Sequence, residues 1–260
     1  MSDLQANGWA VFAYEEAVAT WAKAAREVAL TQVNAPELQH WLRCEGTWFV
    51  GVDALPNDPF GQVGASQRLS GTAFDTAIAL YGTHALHPAQ VSVIYPGYPR
   101  PREGEGDAAF AYRLNRDAAH VDGLLPTGPE PRRHLMERHA YILGLPLSDA
   151  NAGTSPLTIW QGSHRIMRAA FEAALGNTPE DKWPEIDLTD IYKAARREVF
   201  ATCTRHVVPA RPGEAYLVHR HALHGVAPWR PEARAPKEGR MIAYFRPELP
   251  MGTRDWLEMP

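Results

Sequence analysis

The sequence predicts a mainly β fold with flanking helices, a sandwich or jelly-roll barrel, and three observations point there. From residue 89 onward the apolar period drops from the helical 3.6 to two. The alternating runs are short, and Pro- and Gly-rich breaks that no helix tolerates separate them. Helix-period segments are confined to the first third and to one interruption between strands.

The amino-terminal elements come first. AYEEAVATWAKAAREVALT (13–31) is Ala-rich and sets Val18, Trp21, Ala25 and Val28 on one stripe, so it reads as an amphipathic helix. ELQHWL (37–42) adds a short turn, WFVGVDAL (48–55) has strand character, and GTAFDTAIALYGTHA (71–85) reads as a second helix. The strand series opens with AQVSVIY (89–95), followed by the turn-rich PGYPRPREGEG. AFAYRLN (109–115) alternates Phe110, Tyr112 and Leu114 against Ala111, Arg113 and Asn115, and is read as the next strand. HAYILGLPL (139–147), PLTIWQ (156–161), RHVVPA (205–210), EAYLVH (214–219) and MIAYFRP (241–247) continue it. The helical stretches RIMRAAFEAALG (165–176) and LTDIYKAARREVFATC (188–203) interrupt the series. No linker divides the chain, so 1–260 is expected to form one domain, with 1–88 as mixed helical support and 165–203 as a helical insertion.

Composition narrows the function. A formal net charge of −4, with RRH at 132–134 as the nearest basic cluster, argues against a general nucleic-acid binder. Cys44 and Cys203 form no CxxC and are expected to be free thiols. The amino terminus lacks a basic region followed by an apolar one, and no window approaches a membrane span. A soluble, cytoplasmic protein with a small-molecule substrate is expected, with no membrane or nucleic-acid partner.

Chemistry enters at NRDAAHVDGLLP (115–126). On extended backbone, His120 and Asp122 point to the same face and can reach one ion. Alone, this pattern is a weak signal that occurs often by chance, and a surface turn is the commoner reading. PARPGEAYLVHRHALHGVAPW (209–229) places His219, His221 and His224 just after a predicted strand. Two histidines and a carboxylate with open positions are the facial triad of non-haem Fe(II) oxygenases. Beyond them, GRMIAYFRPE sets Arg240 at a strand start, where a buried guanidinium is a natural fork for a carboxylate.

With these residues in place, the chain resembles the Fe(II)/2-oxoglutarate-dependent dioxygenases, nearest to the phytanoyl-CoA dioxygenase-like family. The likeness is carried by HVD (120–122), LPLSDANAGTSPLTIWQGSH (145–164), PGEAYLVHRHALHGVAPW (212–229) and Arg240, and covers roughly residues 89–247. It implies a double-stranded β-helix (jelly-roll, cupin-like) barrel buttressed by N-terminal helices. It implies His120, Asp122 and His224 as iron ligands, and Arg240 as the residue binding the far carboxylate of 2-oxoglutarate. The implied reaction consumes O2, releases succinate and CO2, and hydroxylates an unidentified substrate. Related halogenases lack the carboxylate ligand, so Asp122 favours hydroxylation.

Rivals remain within these motifs. His219 or His221 replaces His224 if the register slips. Otherwise His219 ends a strand in the core and His221 faces solvent. Arg234 competes with Arg240 from a polar loop, and His164 is expected to tie a turn. Arg113 and Asn115 are candidates to meet 2-oxoglutarate or a polar substrate. Trp48, Tyr112, Trp160 and Trp229 either line the barrel mouth or simply pack. Two other classes stay open: a cupin-like metalloenzyme that does not use 2-oxoglutarate, with Arg240 structural, and a non-catalytic relative, against which the intact triad argues. An oxygenase acting on protein is a variant of the first reading.

Overall fold

The computed structural model describes residues 3–260. In chain order the elements are α1 (Asp3–Asn7), β1 (Trp9–Phe12), α2 (Glu16–Val33), a 3-10 turn (Pro36–Trp41), β2 (Leu42–Arg43), β3 (Trp48–Phe49), α3 (Thr72–Tyr81) and β4 (Gln90–Ile94). Then follow α4 (Asp107–Leu114), β5 (Leu124–Thr127), β6 (Arg132–Leu135), β7 (Tyr141–Pro146), β8 (Leu157–Trp160), α5 (Ser163–Leu175), a second 3-10 turn (Glu180–Glu185) and α6 (Thr189–Thr202). The chain ends with β9 (Arg205–Val208), β10 (Ala215–His219), β11 (His224–Val226), β12 (Arg240–Phe245) and α7 (Asp255–Glu258).

The fold is mainly β with flanking helices. A seven-stranded antiparallel sheet, ordered β1-β10-β7-β12-β4-β3-β2, faces a three-stranded sheet ordered β11-β8-β9. The hairpin β5-β6 stands apart as a two-stranded sheet, so the described strands make facing sheets rather than one continuously bonded barrel.

The central strands are apolar on both faces, which is why they read as nearly unbroken hydrophobic runs. Odd-numbered residues of β7, β10 and β12, such as Leu143, Leu217 and Ala243, join a core built with α2 and α3. Trp21 meets Phe245 there at 5.8 Å, and Tyr81 meets Tyr141 at 5.5 Å between ring centroids. Even-numbered residues, among them Ile142, Tyr216, Val218 and Ile242, face the small sheet and pack on Leu157 and Ile159. The period of two thus divides each strand between two separate apolar layers.

One row across the large sheet has a particular shape. Tyr216, Gly144 and Tyr244 are register partners on neighbouring strands. The Tyr216 ring lies across Gly144, and its hydroxyl meets that of Tyr244 at 2.9 Å. A β-carbon at residue 144 would collide with that ring.

Two expectations are corrected. Residues 109–115 form no strand: α4 runs from Asp107 to Leu114. Asp107 in its first turn suits the positive helix N-terminus, and the Ala-rich DAAFAYRL has good helix propensity. The alternation of Phe110, Tyr112 and Leu114 coincides with no buried face, since Tyr112 is exposed. WFVGVDAL also shortens, to β3 and a single bridge between Leu55 and Ala89. The predicted insertion is present as α5 and α6, which link β8 to β9. The expected free thiols are both free. No helix of the described residues is long and apolar enough to cross a membrane.

Replacing Gly144 with Ala forces the Tyr216 ring out of its place, an overpacking cost of about 1–3 kcal/mol. A lowered thermal midpoint is expected, and a midpoint equal to that of the wild type would show that the ring has room to move.

Candidate metal centre

His120, Asp122 and His224 come together between the two sheets, each offering a ligand atom within 4.8 Å of the others. The backbone makes this meeting. His120 N–H donates to the His224 carbonyl at 2.8 Å, and His224 N–H donates to that of His120 at 3.0 Å. The HVD segment therefore lies alongside β11 as a further antiparallel partner. Gly225 permits the close approach, because a β-carbon there would strike the Asp117 carbonyl.

The imidazoles are oriented for an ion. Nδ1 of His120 lies 3.0 Å from the Ala118 carbonyl, and Nδ1 of His224 lies 2.9 Å from that of Ala222. A carbonyl only accepts, so each Nδ1 carries a proton, which leaves each Nε2 as the ring nitrogen turned toward an ion. Both Nε2 atoms face Oδ1 of Asp122, at 3.1 Å from His120 and 3.8 Å from His224. His120 is half exposed, whereas Asp122 and His224 are nearly covered, so the centre opens on the His120 side.

Electrostatics keep the set ready to bind. Burial lowers His224 to about 4, overriding the opposing pull of Asp122, so it is neutral at ordinary pH. Burial alone would raise the Asp122 carboxyl, but the Arg246 charge and the hydrogen bond from His120 hold it well below its usual range. A neutral imidazole and an ionised carboxylate are the states a divalent ion needs.

The predicted motifs brace this centre. In the Gly-Ser-His stretch, the Ser163 hydroxyl accepts the N–H of Leu223 at 2.8 Å, fixing the residue before the distal histidine. His164 Nε2 lies 3.2 Å from the Gln5 carbonyl, a tie to α1 rather than the expected tie within a turn. Helix α6 holds the other segment: the Tyr192 hydroxyl accepts Val121 N–H at 3.1 Å, and Arg196 donates to the Ala119 carbonyl at 2.9 Å.

A cavity of about 180 Å³ adjoins the three residues, lined on the large sheet by Trp48, Ser92, Ile142, Tyr216, Tyr244 and Arg246. Arg240 does not line this cavity; it is buried beside the Tyr216 hydroxyl, with one terminal nitrogen unpartnered. No carboxylate pairs with Arg240 among the described residues. Arg234 is exposed in its loop.

Other candidates go elsewhere. Arg113 is held by Glu105 at 2.6 Å and by the Arg100 carbonyl at 2.9 Å, away from the cavity. Exposed Asn115 caps α4 through its N–H. Their placement follows from the helix that replaces the expected strand. Trp48 lines the cavity, while Tyr112 stacks under Arg116, Trp160 packs on Phe200, and Trp229 joins Ile94 and Tyr98. His219 ends β10 in the core, as expected.

His221 is a correction, being fully buried rather than facing solvent. The carboxy-terminal segment returns over it, placing Trp256 4.3 Å from its ring. Arg220 secures that segment through the carbonyls of Asp255, Trp256, Met259 and Pro260. Sequence reasoning also missed Arg246, although the period of two, carried one residue past the end of β12, puts it on the same side as Ile242 and Tyr244.

No family model matches the chain, and no curated protein resembles it significantly. Solved structures do. The non-heme alpha ketoglutarate dependent carbocyclase SnoK from nogalamycin biosynthesis matches with a TM-score of 0.50 and 16% identity, over 97% of this chain and 86% of that one. AviO1 from Streptomyces viridochromogenes matches at 0.49 and 15% identity, over 96% and 95%. EctD from S. alaskensis with 2-oxoglutarate and 5-hydroxyectoine matches at 0.45 and 16% identity, over 94% and 74%. The likeness to SnoK shows a shared fold.

The buried histidines carry a pH dependence. Burial holds His219 and His221 well below the ordinary 6.5, so the folded chain resists protons that the unfolded chain accepts. Stability of the metal-free protein is therefore full above about 6.5 and is lost as the pH falls below it. Thermal midpoints at pH 7 and pH 5 measure the loss, and His221→Phe, which keeps a ring against Trp256, is expected to shrink it.

Proposed function

We propose that the protein is a non-haem iron(II)- and 2-oxoglutarate-dependent oxygenase acting on a small molecule. The observation that carries this reading is the convergence of the Nε2 atoms of His120 and His224 on Oδ1 of Asp122, with both Nδ1 atoms already engaged. Two imidazoles and one carboxylate are the donor set of a facial triad, and they leave positions free for a cosubstrate.

Arg240 supports the second half. A buried guanidinium with no carboxylate partner among the described residues is costly, and a ligand carboxylate is the counter-charge that would relieve it. Tyr216 borders both the cavity and Arg240, so the far carboxylate of 2-oxoglutarate would meet Arg240 and the Tyr216 hydroxyl. When bound, iron(II) and 2-oxoglutarate supply the oxidising power for attack on an unactivated C–H bond, with release of succinate and CO2.

The chain's own residues have defined tasks in this reading. His120, Asp122 and His224 hold the ion. Ser163 and Tyr192 hold the segments carrying those ligands. The apolar walls formed by Ile142, Leu157 and Val218 limit water beside it. Hydroxylation is the first outcome to test. The fold is shared with SnoK, described as a carbocyclase, so oxidative ring closure is the second.

Anaerobic addition of Fe(II) and then 2-oxoglutarate should produce a visible metal-to-ligand charge-transfer band in the wild type and none in Asp122→Ala. Arg240→Ala should weaken 2-oxoglutarate about 30-fold, as loss of a buried charge partner worth ~2 kcal/mol implies. An iron-loaded wild type without the band would remove 2-oxoglutarate from the reading and leave a cupin-like metalloenzyme.

A further inference from the structure

The two oxygens of Asp122 are shared out between different partners. Oδ1 faces the two Nε2 atoms, while Oδ2 receives Arg246 Nη1 at 3.3 Å. Both side chains are largely covered, with 15% of Arg246 and 11% of Asp122 exposed, so solvent screening of the pair is limited.

Arg246 is itself held from behind. Its main-chain carbonyl lies against two imidazoles, His139 Nδ1 at 3.0 Å and His87 Nε2 at 3.1 Å. The other nitrogen of His139 faces Glu137 at 3.0 Å, and that of His87 faces the Pro88 carbonyl at 2.7 Å. These contacts anchor the backbone just past the end of β12, where the strand's inner face reaches Asp122. None of them touches the three ligand atoms.

We infer that Arg246 is a positioning residue for the metal centre: by occupying Oδ2 of Asp122, it leaves Oδ1 alone to bind a divalent ion. The inference rests on the triad being a metal centre, and is independent of 2-oxoglutarate. The consequence concerns coordination number. A carboxylate binding through both oxygens takes two positions, whereas one binding through Oδ1 leaves an extra position for a chelating cosubstrate. Arg246 thus acts through Asp122 and needs no contact with the ion.

A second effect of Arg246 has the opposite sign, which makes the test decisive. A guanidinium near the centre repels a dication, so removing a mere charge would tighten metal binding. Removing a partner that orients a ligand typically weakens binding about 10–100-fold.

Co(II) serves as the probe, because its visible absorption reports coordination number. Titrations would compare wild type with Arg246→Ala, Arg246→Met and Arg246→Gln, with thermal unfolding of each metal-free protein as the folding control. Ala and Met, which lack a donor, should bind Co(II) about 10–100-fold more weakly with a changed spectrum. Gln, which keeps a donor without the charge, should restore the spectrum toward wild type. If Ala fails to fold, the Met and Gln pair decides. Equal or tighter binding with an unchanged spectrum in Met would overturn the inference. A wild type that binds no Co(II) would overturn the metal centre and the inference together. A wild type that binds Co(II) but gives no band with iron and 2-oxoglutarate removes only the cosubstrate and leaves Arg246 tested.

Discussion

Everything at the centre depends on one short piece of backbone pairing, the two hydrogen bonds between His120 and His224. The first puts the HVD segment beside β11, and the second locks its register. Because the side chains of paired residues stand on the same face, the two imidazoles must then face one region of space. Asp122, two residues along, joins them by the same alternation. The pairing is isolated, with no long strand behind it, so the rest of the molecule supplies its rigidity.

That rigidity comes from two directions. The connection between β8 and β9 carries α5 and α6, and these helices contact both ligand-bearing segments, through Ser163 on one side and Tyr192 and Arg196 on the other. The carboxy-terminal segment covers the turn between β10 and β11 through Arg220 and His221. A helical insertion that looks incidental in the chain order is thus the frame of the site. The large sheet adds the opposite wall, and its doubly apolar strands let helices cover one face while the other stays free to line a cavity.

Charge is arranged with equal economy around the cavity. Asp122 has Arg246 as a nearby cation, and Arg240 has the Tyr216 hydroxyl but, among the described residues, no carboxylate. Arg240 opens β12 and Arg246 lies one residue past its end, so the two stand six residues apart by number, with Ile242 and Tyr244 between them. One has its carboxylate inside the chain. The other meets no carboxylate among the described residues, which is the asymmetry that the proposed acidic cosubstrate would use.

The sequence by itself determined much of this. Strands β7, β8, β9, β10 and β12, the two helices between β8 and β9, and the candidate triad types at 120, 122 and 224 were legible, whereas the β5–β6 hairpin and β11 were not. Each legible feature depends on local periodicity or on residue types at short spacing. Only the tertiary structure decided the rest. The strand expected at 109–115 is a helix because a short Ala-rich segment satisfies both periods, and its surroundings choose between them. His221 is buried because a distant segment folds back over it, and nothing near residue 221 records that return. Arg246 meets Asp122 because β12 ends beside the HVD segment, a contact set by how the two sheets face one another. Side-chain alternation is a property of the local backbone, whereas burial and ion pairing across the fold belong to the packing of whole elements.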